Sequence, residues 1–212
     1  MTHWSTVLTD PAAFFHDRQP DANLLGPVVV VFLVGVLGLL SAVPALLLVL
    51  RGIPAAAQPI IGAGLAIGAL FGLAGPFVVW LIYALLFYGI SIAFGGAGPF
   101  RQLFVLTGWG FLPRILGAAF SAVVLFVALG DVAAPQTAEA MRTFSQDLQA
   151  HPLVRASSLV SIGIAIWSGY IWTHAVAVSR ELTLRQAAVT VGIPVLLSIV
   201  LTGFGLLGVQ LV

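Results

Sequence analysis

Residues 52–100, GIPAAAQPIIGAGLAIGALFGLAGPFVVWLIYALLFYGISIAFGGAGPF, run for 49 positions between Arg51 and Arg101 without a charge. A bilayer core about 30 Å thick takes roughly 20 apolar residues as a helix, because lipid leaves no partner for free backbone groups. The run is therefore read as helix inside a membrane. As one helix it would extend about 70 Å, so its prolines and glycines are expected to divide it. In one reading, an interfacial or half-buried helix from about Ala55 to Ala74 precedes a full span from Pro76 to Phe94. In the other, two spans form a hairpin turning at Gly75-Pro76.

The rest of the chain has the same character. Ala22–Leu50 holds 29 uncharged residues, Ala156–Ser179 holds 24 and Gln186–Val212 holds 27. Gln102–Gly130 holds 29 with one interruption, Arg114, and Asp131–Arg155 is polar. Of 212 residues, 60% are hydrophobic and 7% charged, where a soluble domain has about 45–50% and 25%. So few charges could not cover a soluble surface, and the chain is read as a single-domain integral membrane protein. A net charge of +1 excludes a nucleic-acid binder that works by neutralising phosphates. The absence of cysteine excludes disulfides, thiolate catalysis and Cys-ligated zinc.

The expected fold is all-α, a polytopic transmembrane helical bundle of five spans, six if the hairpin forms. Arginine placement weighs toward five. With five spans, Arg18, Arg101, Arg180 and Arg185 share the side of the amino terminus, against Arg51, Arg142 and Arg155. That puts the amino terminus in the cytoplasm. Eight arginines beside no lysine suggest a GC-rich genome and a prokaryotic cell membrane. Residues 1–21 have neither a basic start nor a short apolar core, so the first span is expected to serve as an uncleaved insertion signal.

The polar pieces read as short interfacial helices. Residues 1–23 form an amino-terminal segment ahead of the transmembrane domain, 24–212. Within it Thr9 or Asp10 can cap a helix with Pro11 in its first position. Phe14 and Phe15 then dip into the headgroup boundary, so Pro11, Phe14 and Phe15 are expected to form a membrane anchor. In the 131–151 loop, Met141, Phe144 and Leu148 share one helical face opposite Glu139, Arg142 and Asp147, the pattern of a helix lying flat on the membrane. Thr183-Leu184-Arg185-Gln186 matches a capping box that opens the last span.

Two stripes of small residues are placed for close helix contact. Gly64, Gly68 and Gly72 recur every four residues and form a packing ridge, and Gly35, Gly38, Ala42 and Ala45 make a similar stripe on the first span. The two stripes are expected to face each other, with a gate or a homo-oligomer seam as the functional alternative.

Candidate chemistry is sparse. Arg114 is the one clear ionisable group inside a span, and such groups are costly in lipid. It follows Pro113 in Gly108-Trp109-Gly110-Phe111-Leu112-Pro113, where a helical hydrogen bond is lost. Its guanidinium could bind the freed carbonyls, a lipid phosphate, or a carboxylate such as Glu181. Arg114, Pro113, Trp109 and Arg101 are therefore the candidate functional or lipid-contact residues. Ser168 and His174 lie six residues apart on one helix, a rotation of about 240°, so they cannot share a proton directly. No metal-ligand cluster or phosphate loop is present. No catalytic residue, cofactor or metal is expected, and the chain is read as a non-enzyme.

The ordered motifs resemble those of the Yip family (Ypt-interacting proteins), most of all its short prokaryotic members. Pro11-Ala12-Ala13-Phe14-Phe15 is similar to the family's amino-terminal proline–phenylalanine signature. Gly95-Gly96-Ala97-Gly98-Pro99-Phe100-Arg101 resembles its glycine-rich turn before the third span. Gly108-Trp109-Gly110-Phe111-Leu112-Pro113 resembles its glycine–aromatic…proline signature, with Trp109 where tyrosine is commoner. Trp167, His174, Leu182 and Ala187 fall where the family has its last helix-turn-helix. Asn23-Leu24-Leu25-Gly26-Pro27 is a partial echo of the Asp-Leu-Tyr-Gly-Pro motif of eukaryotic members. The resemblance implies five spans, a cytoplasmic amino terminus and, from eukaryotic members, association with prenylated Rab-type GTPases. The expected role is membrane organisation or scaffolding with the bilayer and a membrane or GTPase-like protein as partners; a passive channel or small-solute or lipid transporter is the alternative.

Overall fold

In the computed structural model, which describes residues 4–16, 23–51, 58–129 and 137–206, each apolar run is helical over most of its described length. Arg18 and residues 52–57 and 207–212, which enter the sequence reading, lie outside the described residues, as does the Met141 side chain. Two short helices, α1 (Trp4–Thr9) and α2 (Pro11–His16), precede α3 (Leu25–Arg51) and α4 (Gln58–Ala93). The third apolar run is split into α5 (Phe100–Trp109) and α6 (Leu112–Leu129). After α7 (Ala138–Ala150) come α8 (Pro152–Ser179) and α9 (Leu184–Leu206). Among the described residues five segments are long and apolar enough to cross a membrane: Leu25–Leu48, Gln58–Ala93, Phe100–Leu129, Pro152–Arg180 and Leu184–Gly203.

The decisive run resolves differently from both expectations. It is neither an interfacial helix followed by a span nor a hairpin: α4 continues for 36 residues straight through Gly75-Pro76. The physical reason is the solvent. A proline inside a helix removes one hydrogen bond, whereas a turn in lipid would strand several backbone groups. Pro44 in α3 and Pro194 in α9 are carried inside their helices in the same way. The third span does break, between Trp109 and Leu112. There the amides of Gly110, Phe111 and Arg114 donate to the carbonyls of Thr107, Gly108 and Phe111, three residues back in each case.

The local signals hold. Asp10 Oδ1 accepts from the Ala13 amide at 3.1 Å, capping α2. Thr183 and Gln186 close their box reciprocally, Thr183 N to Gln186 Oε1 at 3.0 Å and Gln186 N to Thr183 Oγ1 at 3.4 Å. In α7, capped by Thr137, Phe144 and Leu148 are half-buried while Glu139, Arg142 and Asp147 are exposed.

The membrane-anchor reading of Pro11, Phe14 and Phe15 is overturned. All three are buried in protein, with Phe15 at 0% exposure. Phe14 meets the Trp109 ring edge-on at 5.2 Å, Trp4 meets it from another side at 5.8 Å, and the Trp167 indole donates to the Leu8 carbonyl at 3.3 Å. The rings find in these tryptophans a drier and more complementary surface than headgroups offer. Residues 4–16 thus share the core of the spans that follow.

The glycine ridge is used at one end only. A Cβ on Gly72 would stand 2.6 Å from Leu39 Cδ2, and one on Gly35 would stand 3.1 Å from the Leu73 carbonyl oxygen. Around Gly38, Gly64 and Gly68 nothing among the described residues comes within 4 Å. Outside the bundle, Ile82, Leu85, Val123, Phe126, Leu159, Ile166, Leu196 and Leu201 are exposed, as expected of lipid-facing positions.

Candidate binding site

The break in the third span organises the middle of the bundle. A helix end leaves its last carbonyls without intrahelical donors. In α5 two backbone carbonyls, Phe104 within the helix and Thr107 in its last turn, accept from indoles in addition to their other donors. Trp80 Nε1 donates to Phe104 O at 2.8 Å, and Trp172 Nε1 donates to Thr107 O at 2.6 Å. Trp80 also stacks on Phe104 with centroids 4.1 Å apart. Both rings can approach because the break carries glycines. A Cβ on Gly108 would lie 2.7 Å from Trp80 Cζ2, and one on Gly110 would overlap Trp172 Nε1.

The break also places Arg114. The arginine sits in the first turn of α6 among three rings, its Cζ 5.0 Å from the Phe111 centroid, 5.4 Å from Trp172 and 5.5 Å from Tyr83. Ring faces stabilise the cation but accept none of its N–H bonds in the ordinary sense. Its buried Nε has no hydrogen-bond partner among the described residues. The carboxylate suggested for it is elsewhere. Glu181 is an exposed residue at φ 56°, just past the end of α8, where Leu182 N donates to Ala177 O. That is the left-handed closing residue of a Schellman motif, and it lies nine residues beyond Trp172, roughly 13 Å along the helix.

Arg114 lines a cavity of about 360 Å³ with contributions from all five spans. Val34, Val79 and Ile164 supply apolar wall, and Ser121, Ser161, Ser198 and Thr202 supply hydroxyls. Ser121 stands two turns from Arg114 along α6, with its Oγ 3.1 Å from Ser157 Oγ. Ser161, Ser198 and Thr202 donate back to the carbonyls of Ser157, Val195 and Ser198. Their oxygens thus keep lone pairs but have spent their protons. The lining joins a cation at one end to a wall of acceptors.

The other sequence candidates do different work. Pro113 is buried in the first turn of α6, and Trp109 is buried against α1 and α2. Arg101 is exposed near the start of α5, at the opposite end of that helix from the break. Ser168 is buried with its Oγ unpartnered among the described residues, while His174 rests edge-on against Tyr170 at 5.0 Å. Among the described residues no group of three or more His, Asp or Glu is placed to hold a metal.

Arg180 is the residue that sequence reading passed over. At 2% exposure it is one of the largest fully buried side chains. Its Nε donates to Ser91 Oγ at 2.9 Å, its Nη2 donates to Gly96 O, and its Cζ lies 4.3 Å over Tyr88. The Ala97 amide returns a bond to Arg180 O at 3.1 Å. Only the spatial meeting of the 94–99 and 180–183 turns distinguishes this arginine from its neighbours in the chain.

Comparison with known proteins agrees with this architecture. The sequence profile of the Yip1 domain matches residues 5–205. An uncharacterised protein of Methanocaldococcus jannaschii is 30% identical over 121 residues, covering 57% of this chain and 86% of that protein. No solved structure matches.

Proposed function

This chain belongs to the Yip1 family, and from that membership we propose a non-enzymatic role, that of a bilayer-embedded scaffold. The observation that carries the proposal is where the motif residues go. Phe14, Phe15 and Trp109 share one packed core with the Trp80 and Trp172 rings that press on Gly108 and Gly110, which supports a rigid platform more than a reaction centre. The archaeal relative and the four-to-three arginine split support a prokaryotic cell membrane with a cytoplasmic amino terminus. A membrane or GTPase-like protein partner follows the resemblance to eukaryotic members, and a homo-oligomer is a further arrangement the exposed Gly64–Gly68 face would admit.

A second reading, passive passage of a lipid or small solute, is favoured by one observation: the five-span cavity with Arg114 at its end. Reconstitution into liposomes separates the two. A scaffold leaves solute efflux and headgroup accessibility to an impermeant quencher at protein-free rates, while tagged protein cross-linked in native membranes yields one reproducible partner band. Flux or scrambling that scales with protein content would replace the scaffold by the second reading.

A further inference from the structure

The guanidinium of Arg114 carries five N–H donors, yet its buried Nε finds no acceptor among the described residues. Its position adds to the imbalance. The first turn of a helix is the positive end of the macrodipole, so α6 disfavours a lone cation there and favours an anion beside it. Phe111, Tyr83 and Trp172, themselves in mutual contact, form one aromatic wall beside the guanidinium, and Arg114 also lines the cavity.

The cavity walls then describe the rest of the ligand. Ser121, Ser161, Ser198 and Thr202 follow one another away from Arg114, toward the carboxyl ends of α6 and α9 and the amino end of α8. Three of these hydroxyls have donated to their own helices, so what they offer a ligand is acceptors. A volume of about 360 Å³ falls within the size of small-molecule pockets, about 300–1,000 Å³. An inorganic anion alone would leave most of it empty.

We infer that this cavity binds a phosphate ester, its anion on Arg114 and its hydroxyl- or ammonium-bearing remainder along Ser161, Ser198 and Thr202. Arginine and phosphate are matched in charge and fork geometry, and the acceptor wall selects a remainder that brings its own donors. A lipid headgroup and a soluble glycerol phosphate share this chemistry. The inference deepens the second reading above, at the same site, but it depends on binding and not on passage.

The test uses the full chain in a non-ionic maltoside, read by tryptophan fluorescence and thermal unfolding. The probes are inorganic phosphate, glycerol phosphate, short-chain phosphatidylglycerol and, as the uncharged control, short-chain diacylglycerol. Glycerol phosphate or phosphatidylglycerol should give a saturable shift, and Arg114→Gln should weaken it about tenfold or more, the loss of one charge-assisted contact. Arg114→Lys should recover part of the binding. A response to glycerol phosphate assigns a soluble ester; a response confined to phosphatidylglycerol assigns a headgroup. Thr202→Val paired with Ser161→Ala should reduce the preference for glycerol phosphate over inorganic phosphate, which keeps the test alive if Arg114→Gln does not fold. No response to any probe, an unchanged response in Arg114→Gln, or an equal one to diacylglycerol overturns the inference. Binding without lipid scrambling would remove only the passage reading and leave the site standing.

Discussion

Two arginines sit within the spans' compass and meet opposite fates. Arg180 closes α8 at a helix carboxyl end, where free carbonyls and the negative dipole end welcome a cation. It is buried, bonded to Ser91 and Gly96, and stacked on Tyr88. Arg114 opens α6, where the dipole is unfavourable and its buried Nε finds no acceptor among the described residues. The first ties two turns together; the second is left with donors facing a cavity. The pair teaches that an arginine in an apolar span is structural or receptive according to whose carbonyls lie near it, not according to its depth.

The two ends of the bundle differ accordingly. At the Arg180 end, Gly98 presses on the Ser179 backbone so closely that a Cβ would overlap its carbonyl. At the other end, Gly64 and Gly68 face open space and serines line a cavity. Substitutions should separate these ends. The largest effects belong to the latch. Arg180→Ala strands the Ser91 and Gly96 acceptors and should cost about 3 kcal/mol, read as a lowered Tm in detergent. Gly98→Ala should cost as much or more, since backbone must yield to backbone. Loss of either residue without a change in Tm would erase the distinction.

At the hub, Gly110→Ala should displace Trp172 and break its bond to Thr107 O, at about 2 kcal/mol and with a shift in tryptophan emission. Smaller still, Arg114→Gln should change stability by no more than about 1 kcal/mol, because the hydrogen bonds of its Nε are not there to lose. A collapse of the fold on that substitution would make Arg114 a second latch. The last contrast lies within one ridge. Gly72→Leu should cost about 1–3 kcal/mol by overpacking against Leu39, whereas Gly68→Leu should fall within about 0.5 kcal/mol, as for an open surface position. Equal losses at both would show that Gly68 is covered in the assembled protein.

Much of this was legible beforehand, and the failures share a cause. The capping box at Thr183–Gln186, the Asp10 cap and the amphipathic face of α7 are local devices, each closed within a few residues, so sequence spacing was sufficient. The fate of Pro76 was misread because a proline–glycine pair argues for a turn in water, while in lipid the continuous helix strands fewer groups. Pro11, Phe14 and Phe15 were misread because an apolar face at a membrane surface has two places to go. Only contact with Trp109 and α8 tells them apart.

The chain's composition and its long uncharged runs by themselves determined a bundle of membrane-spanning helices, since every backbone amide in lipid must be satisfied within its own segment; that the longest run crosses once was decided by the structure. Which arginine is clasped and which is left facing a cavity was decided only in three dimensions. Those outcomes depend on partners contributed by segments far apart in the chain, such as Ser91 and Gly96 for Arg180, and spacing along one segment carries no record of them.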